Sequence, residues 1–280
     1  MPWKELLAAL AAYAFVIEPA RLVVRRVDVP ITDLPPELNG LKIGQISDLH
    51  RGPMMPRRRV ERAVALMAAE SPDLVALTGD FVSYRSGYAT EYPEILAPLR
   101  PQLGSFACIG NHDHWADPDG ITEALQAAGA TVLRNQNQVV TVDRRQLCMI
   151  GIDDIGRSGL SAHSAEAADD LPAALAGSPP SDVIRILLVH NPDFVMGPAF
   201  ARAMVHSPTH LVLSGHTHGG QVRLPLIGAV RLPSRYKHMF GGGLVQVAGT
   251  QVHVSRGAGS SLPIRFNCPP EVNVLTLRSA

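Results

Sequence analysis

The chain has 280 residues, 46% of them apolar, and its 25 basic residues balance 25 acidic ones. That composition supports a sizeable core, while the absence of net charge argues against a general nucleic-acid-binding protein, which needs a field to hold a long polyanion. Three cysteines with no C-x-x-C spacing suggest neither a disulfide framework nor a cysteine zinc site, and they favour a reducing compartment.

The N-terminal segment is an apolar run from Leu6 to Ile17, followed closely by Arg21, Arg25 and Arg26. About twelve apolar residues fall short of the ~20 that a bilayer-spanning helix needs. A small-residue cleavage signature is lacking, so a secretory signal is not favoured. We therefore predict an interfacial helix with a basic flank, and the alternative is a helix packed on its own domain.

Three prolines, Pro30, Pro35 and Pro36, follow this segment and interrupt any helix. They indicate a linker into the main domain. The sequence thus predicts two parts: residues 1–37, with the helix, its basic flank and the linker, and residues 38–280, forming one large domain.

The first half of that domain alternates between buried runs and helical periodicity. Strands are predicted at residues 41–47, 73–78 and 104–109, and helices at residues 57–69, 91–99 and 117–128. Strands separated by helices at this spacing are typical of βαβ units with a parallel sheet.

The second half shifts to short strands, predicted at residues 139–142, 146–152, 184–189, 211–213, 221–224, 245–248, 252–255 and 272–277. Helices are expected only at residues 194–204 and 165–176. Residues 156–181, rich in Ser, Ala and Gly, suggest a mobile surface excursion. Two facing sheets with helices outside would bury both sets of apolar residues.

Five of the predicted strands end directly before side chains that can bind a metal, namely Asp48 and His50, Asp80, Asn111 with His112 and Asp113, His190, and His216 with His218. Each group alone is compatible with an ordinary turn or helix cap. Because loops beyond the carboxyl ends of parallel strands form the ligand crevice of α/β sheets, all five groups could converge on one site.

The chemistry of these residues indicates which metals they would hold. Imidazole, carboxylate and amide ligands without thiolate suit Mn²⁺, Fe or Zn²⁺. These groups supply about seven ligands, which are too many for one ion, whereas two divalent metal ions ~3.5–4 Å apart can clamp both oxygens of a phosphoryl transfer. Asp80, the single carboxylate of the middle segment, is the natural bridge between them.

In order and spacing, the chain resembles the calcineurin-like metallophosphoesterase superfamily, whose five signature blocks correspond to Ser47-Asp48-Leu49-His50, Gly79-Asp80, Gly110-Asn111-His112-Asp113, His190 and Gly215-His216-Thr217-His218. The resemblance covers about residues 38–277. It implies an α/β fold, a four-layer α/β/β/α sandwich of two facing mixed sheets, and hydrolysis of a phosphodiester or pyrophosphate bond by metal-activated water.

The same resemblance implies roles for single residues. One metal ion would be held by Asp48, His50, Asp80 and His218, and the other by Asp80, Asn111, His190 and His216. His112 would act on the leaving group without binding metal, and Asp113 would orient His112.

Finer features resemble a bacterial membrane-associated phosphodiesterase branch that includes an alternative type of UDP-2,3-diacylglucosamine pyrophosphatase of lipid A synthesis. They are the sequences Ile17-Glu18-Pro19, Gly215 to Gln221, Arg256 to Gly259 and Asn267 to Glu271. A peripheral enzyme on the cytoplasmic face of the inner membrane is expected, with a lipid-linked substrate, the membrane surface as partner and no nucleic acid.

Two loops bear on the substrate. The mixed basic and apolar stretch from Arg51 to Arg59 could meet phospholipid head groups or begin a solvated helix. Residues 236–240 could form a lid beside the site or a hairpin turn. Two other functions stay open, a soluble nucleotide phosphodiesterase or nuclease and a non-catalytic metal-binding scaffold, and the oligomeric state is not predicted.

Overall fold

The computed structural model describes residues 3–153, 170–179, 183–260 and 262–280. Its strands are β1 (Val23–Ile31), β2 (Lys42–Ile46), β3 (Leu74–Thr78), β4 (Ser105–Cys108), β5 (Ala130–Val132), β6 (Gln136–Val142), β7 (Arg145–Gly151), β8 (Ile184–Leu188), β9 (Leu211–Ser214), β10 (Arg223–Leu224), β11 (Gly228–Ala229), β12 (Gly243–Val247), β13 (Thr250–Val254) and β14 (Glu271–Ser279). One six-stranded sheet has the order β1-β14-β2-β3-β4-β5, and the other has the order β12-β13-β9-β8-β7-β6.

The α-helices are α1 (Trp3–Ala12), α2 (Glu18–Ala20), α3 (Arg57–Ala69), α4 (Tyr92–Ile95), α5 (Asn111–Ala116), α6 (Pro118–Ala127), α7 (Leu171–Leu175) and α8 (Pro198–His206). A π-helical turn, Tyr13–Ile17, joins α1 to α2. Among the described helices, none combines the length and the apolar character that a bilayer-spanning segment needs.

Alternation along the strands divides the core into three apolar layers. On β3, Leu74 and Ala76 face the opposite sheet, while Val75 and Leu77 face the helices α3, α4 and α6. On the far side, side chains of the second sheet pack against α7 and α8, where Phe200 is buried. The fold is therefore the expected four-layer sandwich, helices outside and two mixed sheets inside.

The structure places a strand, β1, where the sequence predicted the beginning of a linker. Val23–Ile31 pairs in parallel with β14 along its whole length, although it contains Pro30. The strand lies at the edge of its sheet, where a missing backbone N–H is tolerated. Val29 and Ile31 point into the layer between the sheets. Residues 23–31 thus belong to the folded domain.

Two other predicted elements are shorter than expected. The helix predicted at residues 91–99 is reduced to the single turn of α4, and a 3₁₀ segment, Ser86–Glu91, precedes it. The helix predicted at residues 194–204 is split at Gly197, where α8 begins with Pro198. Of the helix predicted at residues 165–176, α7 covers the final part; residues 165–169, and most of the excursion predicted at 156–181, lie outside the described residues.

Candidate metal centre

The seven predicted metal ligands come together at the carboxyl ends of five strands. Asp48 and His50 follow β2, Asp80 follows β3, and Asn111 begins α5 directly after β4. His190 follows β8 in the second sheet, and His216 and His218 follow β9. Because the parallel strands of both sheets end at this edge, their loops meet in one crevice, as the sequence predicted.

Five of these residues hold a left-handed backbone: φ is 54° at Asp48, 48° at His50, 56° at Asp80, 68° at His216 and 49° at His218. This conformation is uncommon for residues other than glycine, although Asp and His tolerate it better than most. Clusters of such residues are typical of functional sites, where surrounding contacts maintain the strain. Here they turn successive side chains of each loop toward the same space.

The first group of ligands comprises Asp48, His50, His218 and Asp80. His50 Nε2 lies 3.1 Å from His218 Nε2 and 3.5 Å from Asp80 Oδ2, and His218 Nε2 lies 3.4 Å from Asp48 Oδ1. Ligand atoms about 2.0–2.2 Å from a shared ion lie roughly 3–3.5 Å apart. The spacing of these donor atoms therefore fits a bound divalent cation.

A second group surrounds the other side of Asp80. His190 Nε2 lies 3.2 Å from Asp80 Oδ2, while His190 Nδ1 donates to the Thr78 carbonyl oxygen at 2.8 Å. That bond leaves the Nε2 lone pair directed at the carboxylate and the site. His216 Nδ1 lies 2.9 Å from Asn111 Oδ1. Asp80 thus stands between the two groups, as expected for a bridging ligand.

Burial sets the protonation states in this cluster. It lowers the pKa of His50 to about 3, and it lowers the pKa of His218 well below its ordinary value, so both rings are neutral, as metal ligands must be. Burial raises the pKa of Asp48 to about 6. Burial has the same tendency at Asp80, but His190, His50 and His112 hold the pKa of Asp80 well below its ordinary value. A bound divalent cation would offset the charge of the two buried carboxylates.

Glycines next to the ligands make the close approach possible. A β-carbon at Gly110 would collide with the Asp80 carboxylate, and one at Gly215 would collide with the Asp48 carboxylate and the Ser47 hydroxyl. Any side chain at either position would therefore push apart the loops that carry the ligands.

His112 lies beside the cluster with a fixed orientation. Its ring Nδ1 is 2.6 Å from the Ser83 carbonyl oxygen, to which it donates, and its backbone N–H donates to Asp80 Oδ1 at 2.9 Å. One nitrogen of His112 lies within 4.8 Å of ligand atoms of His50 and Asp80. Because Nδ1 is bound to the Ser83 carbonyl oxygen, Nε2 is the ring nitrogen that this bond does not use.

Asp113 does not orient His112, contrary to the expectation from sequence. Its carboxylate accepts hydrogen bonds from the backbone N–H groups of Phe81, Val82 and Gly110 at 2.8–3.1 Å. It therefore ties the loop after β3 to the start of α5, which carry Asp80 and Asn111. The Ser83 carbonyl performs the role assigned to Asp113, and a backbone carbonyl leaves no trace in the residue pattern.

Arg265 is a further residue of the site that sequence reasoning missed. Its guanidinium group is only 1% exposed and donates to the carbonyl oxygens of Arg256, Gly257, Gly259 and Cys268. These bonds hold the loop after β13 against Asp48, since Gly259 N–H donates to the Asp48 carbonyl oxygen at 2.8 Å. An arginine among Pro, Ile, Phe and Cys was the available signal.

Comparison with known proteins agrees with this geometry. Residues 41–220 match the family model described as calcineurin-like phosphoesterase. The chain is 35% identical over 240 residues to "Phosphodiesterase YaeI" of Escherichia coli, covering 84% of this chain and 82% of that protein. The fold and cluster define a metal-dependent phosphoesterase. The chain belongs to the calcineurin-like phosphoesterase family, whose members use a dinuclear divalent metal site.

Two more distant likenesses add context. "Transmembrane protein with metallophosphoesterase domain" of Danio rerio is 33% identical over an alignment 285 residues long, which covers 98% of this chain but 61% of that protein. Among solved structures, "GAP50 the anchor in the inner membrane complex of Plasmodium" matches with a TM-score of 0.50 at 10% identity, covering 81% of this chain and 78% of that one. The second likeness concerns the fold alone.

Proposed function

We propose that this phosphoesterase hydrolyses a phosphodiester or pyrophosphate bond in a lipid-linked substrate while docked on a membrane surface. The substrate class suggested by the sequence is a nucleotide-linked acylated sugar such as UDP-2,3-diacylglucosamine. The proposed location is the cytoplasmic face of the inner membrane, with peripheral attachment. The observation that carries the proposal is an exposed apolar helix rooted on the loop that contacts the metal cluster.

The assignment of ligands to ions is part of the proposal. Asp48, His50, Asp80 and His218 hold one ion, and Asp80, Asn111, His190 and His216 hold the other. Mn²⁺, Fe or Zn²⁺ suits these donors. When bound, the ions supply the Lewis acidity and the activated water that phosphoryl transfer requires.

His112 is the proposed acid for the leaving group. Its Nδ1–H bond to the Ser83 carbonyl fixes the ring, so Nε2 is the nitrogen that can give a proton to the departing oxygen. Packing against the rings of Tyr84 and Trp115, at centroid distances of 5.2 and 4.6 Å, restrains the ring further.

The N-terminal helix presents apolar side chains to solvent. Leu6 and Leu7 of α1 are 52% and 55% exposed, Phe15 and Ile17 of the π-helical turn are similarly exposed, and α1 has no buried residue. Apolar surface of this kind, concentrated on one helix, is typical of an interface with a membrane or a partner. Its exposure supports the interfacial helix over the packed alternative.

The base of this helix is fixed beside the metal cluster. The Arg265 backbone N–H donates to the Ala14 carbonyl oxygen at 2.9 Å, and the Cys268 backbone N–H donates to Oε1 of the buried Glu18 at 2.6 Å. Cys268 Sγ in turn lies 3.4 Å from the His218 carbonyl oxygen. A membrane that receives the helix would therefore lie close to the cluster.

Basic residues near the helix base differ from those predicted. Arg25 and Arg26 lie in β1 and form ion pairs with Glu271 and Glu70, so they contribute less to lipid attraction than expected. Instead, a cavity of about 250 Å³ is lined by Pro19, Ala20, Leu22, Met55 and Ala258 together with Arg58, Arg59 and Arg62. Arginines around an apolar floor suit the phosphate of an anionic lipid.

Vesicle binding tests the proposal in the full chain. We expect Leu6→Gln/Leu7→Gln/Leu10→Gln to reduce partitioning onto phosphatidylglycerol vesicles by at least about 100-fold, because each leucine contributes up to ~1.5–3 kcal/mol when buried in lipid. Val205→Gln, which replaces a side chain 74% exposed on α8, is the matched control and should bind like the wild type. Co-sedimentation measures both.

Turnover completes the test. The triple variant should lose kcat/KM for a micellar UDP-diacylglucosamine substrate and keep its rate on bis-p-nitrophenyl phosphate. Unchanged vesicle binding would refute membrane docking. Turnover of nucleotide diesters without turnover of any acylated substrate would support the alternative, a nucleotide phosphodiesterase.

A further inference from the structure

Charge is strongly segregated along this neutral chain. Between Asp193 and Glu271 there is no acidic residue, whereas seven basic ones occur, namely Arg202, Arg223, Arg231, Arg235, Lys237, Arg256 and Arg265. This stretch carries two of the metal ligands, His216 and His218. This part of the chain therefore carries a local excess of basic residues that the neutral net charge conceals.

Part of this stretch encloses a cavity of about 470 Å³ between the β10–β11 hairpin and the 3₁₀ turn Lys237–Phe240. Its walls are both basic and apolar, including Arg223, Arg231, Lys237, Ile227 and Val230. Within the described part of the chain, the ion pairs leave Arg231 and Lys237 without a carboxylate. The turn predicted as a lid or hairpin is a wall of this cavity.

The cavity adjoins the metal-binding turn directly. Arg223 Nη1 donates to the Gly219 carbonyl oxygen at 3.0 Å and to the Gly241 carbonyl oxygen at 3.1 Å, and Gly219 follows the ligand His218. A β-carbon at Gly220 would meet the Ala229 side chain, so the hairpin packs tightly on this turn. One wall of the cavity is thus bonded to the turn that carries the ligand His218.

We propose that this cavity is a subsite for the part of the substrate beyond the scissile phosphoryl group, and that it takes a second anionic group attached to an apolar chain. Arg231 and Lys237 bind the anionic group, and Ile227 and Val230 contact the chain. A free phosphate would leave the apolar wall unused, so an amphiphilic phosphate fits better. The inference deepens the proposed function and rests on it for the identity of the substrate.

Three probes separate the parts of the subsite: inorganic phosphate, geranyl monophosphate and geranyl diphosphate, the last used as its methylene-bridged analogue, which has no P–O–P bond to hydrolyse. In calorimetric titrations of the metal-loaded protein, phosphate reports the metal cluster, the geranyl chain reports the apolar wall, and the second phosphoryl group reports the cations. We expect the wild type to bind the diphosphate at least about tenfold more tightly than the monophosphate, the usual scale of one added charge-assisted contact.

The variants then assign each contribution. Arg231→Gln/Lys237→Gln should bring the affinity ratio of diphosphate to monophosphate close to one, while Ile227→Ser should weaken both geranyl probes relative to inorganic phosphate and keep their ratio. Arg202→Gln, in α8, is the matched control and should change neither. If Arg231→Gln/Lys237→Gln keeps the wild-type affinity ratio of diphosphate to monophosphate, the proposal of a subsite is overturned. If the affinity ratios change as expected but the wild type hydrolyses no acylated substrate, only the proposed function is overturned.

Discussion

His112 combines three contacts that suit a proton donor, since its Nδ1 is bound to the Ser83 carbonyl, its ring packs on Trp115 and its backbone holds Asp80. We expect His112→Asn to keep normal metal content and to lower kcat for an alkyl leaving group by about 10²–10⁴-fold, the usual contribution of a positioned acid. A p-nitrophenolate leaving group, which needs no proton, should suffer much less. Equal losses on both substrates would instead assign His112 to electrostatic stabilisation of the phosphoryl group.

Asp153 gives a pH-dependent prediction away from the ligands. Burial tends to raise the pKa of Asp153, but bonds from His114 at 2.7 Å and Arg134 at 2.8 Å lower it below its ordinary value. A depressed pKa stabilises the fold above the ordinary value and loses that effect as pH falls through the lowered one. Asp153→Asn should therefore cost about 1–3 kcal/mol near pH 7 and progressively less below about pH 4, measured by urea unfolding across pH. A difference in the free energy of unfolding between the wild type and Asp153→Asn that does not change with pH would contradict this prediction.

At the residue scale, the sequence allowed a prediction of which side chains lie together. Asp48, His50 and His218 could be predicted to converge because few residue types bind metals and these follow strands at a recognisable position, and their candidate ligand atoms lie within 4.8 Å of one another. The partner of His112 could not be predicted, because any residue supplies a carbonyl. The prediction that Asp113 orients His112 rested on their adjacency in sequence, which does not imply contact between their side chains. The buried carboxylate of Asp113 instead accepts hydrogen bonds from backbone N–H groups.

Among the elements, strand β1 and helix α1 differ sharply in their attachment. Helix α1 buries no residue, whereas β1 places Val29 and Ile31 in the core and pairs along nine residues with β14. We expect deletion of residues 1–12 to leave the free energy of unfolding within about 1 kcal/mol of the full chain. Deletion of residues 1–31 should cost at least about 5 kcal/mol or prevent folding, because two core side chains and an edge strand are lost. If the two deletion variants have equal free energies of unfolding, the domain begins near residue 38, as the sequence predicted.

Strand β1 could not be predicted from the residue pattern. Its one proline, Pro30, and the prolines that follow it are typical of a linker. The pairing with β14, some 250 residues later, makes it a strand. By contrast, β2, β3 and β4 could be predicted almost to the residue, because strands buried on both faces have continuous apolar runs. The break at Gly197 in the predicted helix 194–204 follows from Pro198, which begins a helix more readily than it continues one.

On the scale of the whole molecule, one end of the sandwich gathers the functional features. The metal cluster, the base of the apolar helix, the arginine-lined cavity and the basic and apolar subsite all connect through the loops after β2, β9 and β13. The neutral net charge predicted no field for a long polyanion, but it did not show that residues 194–270 carry basic residues and no acidic one. An amphiphilic anion would meet matching groups in this arrangement.

The two-ion centre is the central claim, and elemental analysis of the purified protein tests it most directly. Seven ligands grouped around Asp80, all but His216 buried, predict two divalent ions per chain. Asp80→Ala should retain at most one tightly bound ion and lose activity, because each ion loses a ligand. Asp28→Asn, an exposed carboxylate paired with Arg278, is the control and should keep both ions. A fully active protein that contains no metal, or an Asp80→Ala variant with both ions and full activity, would contradict the account.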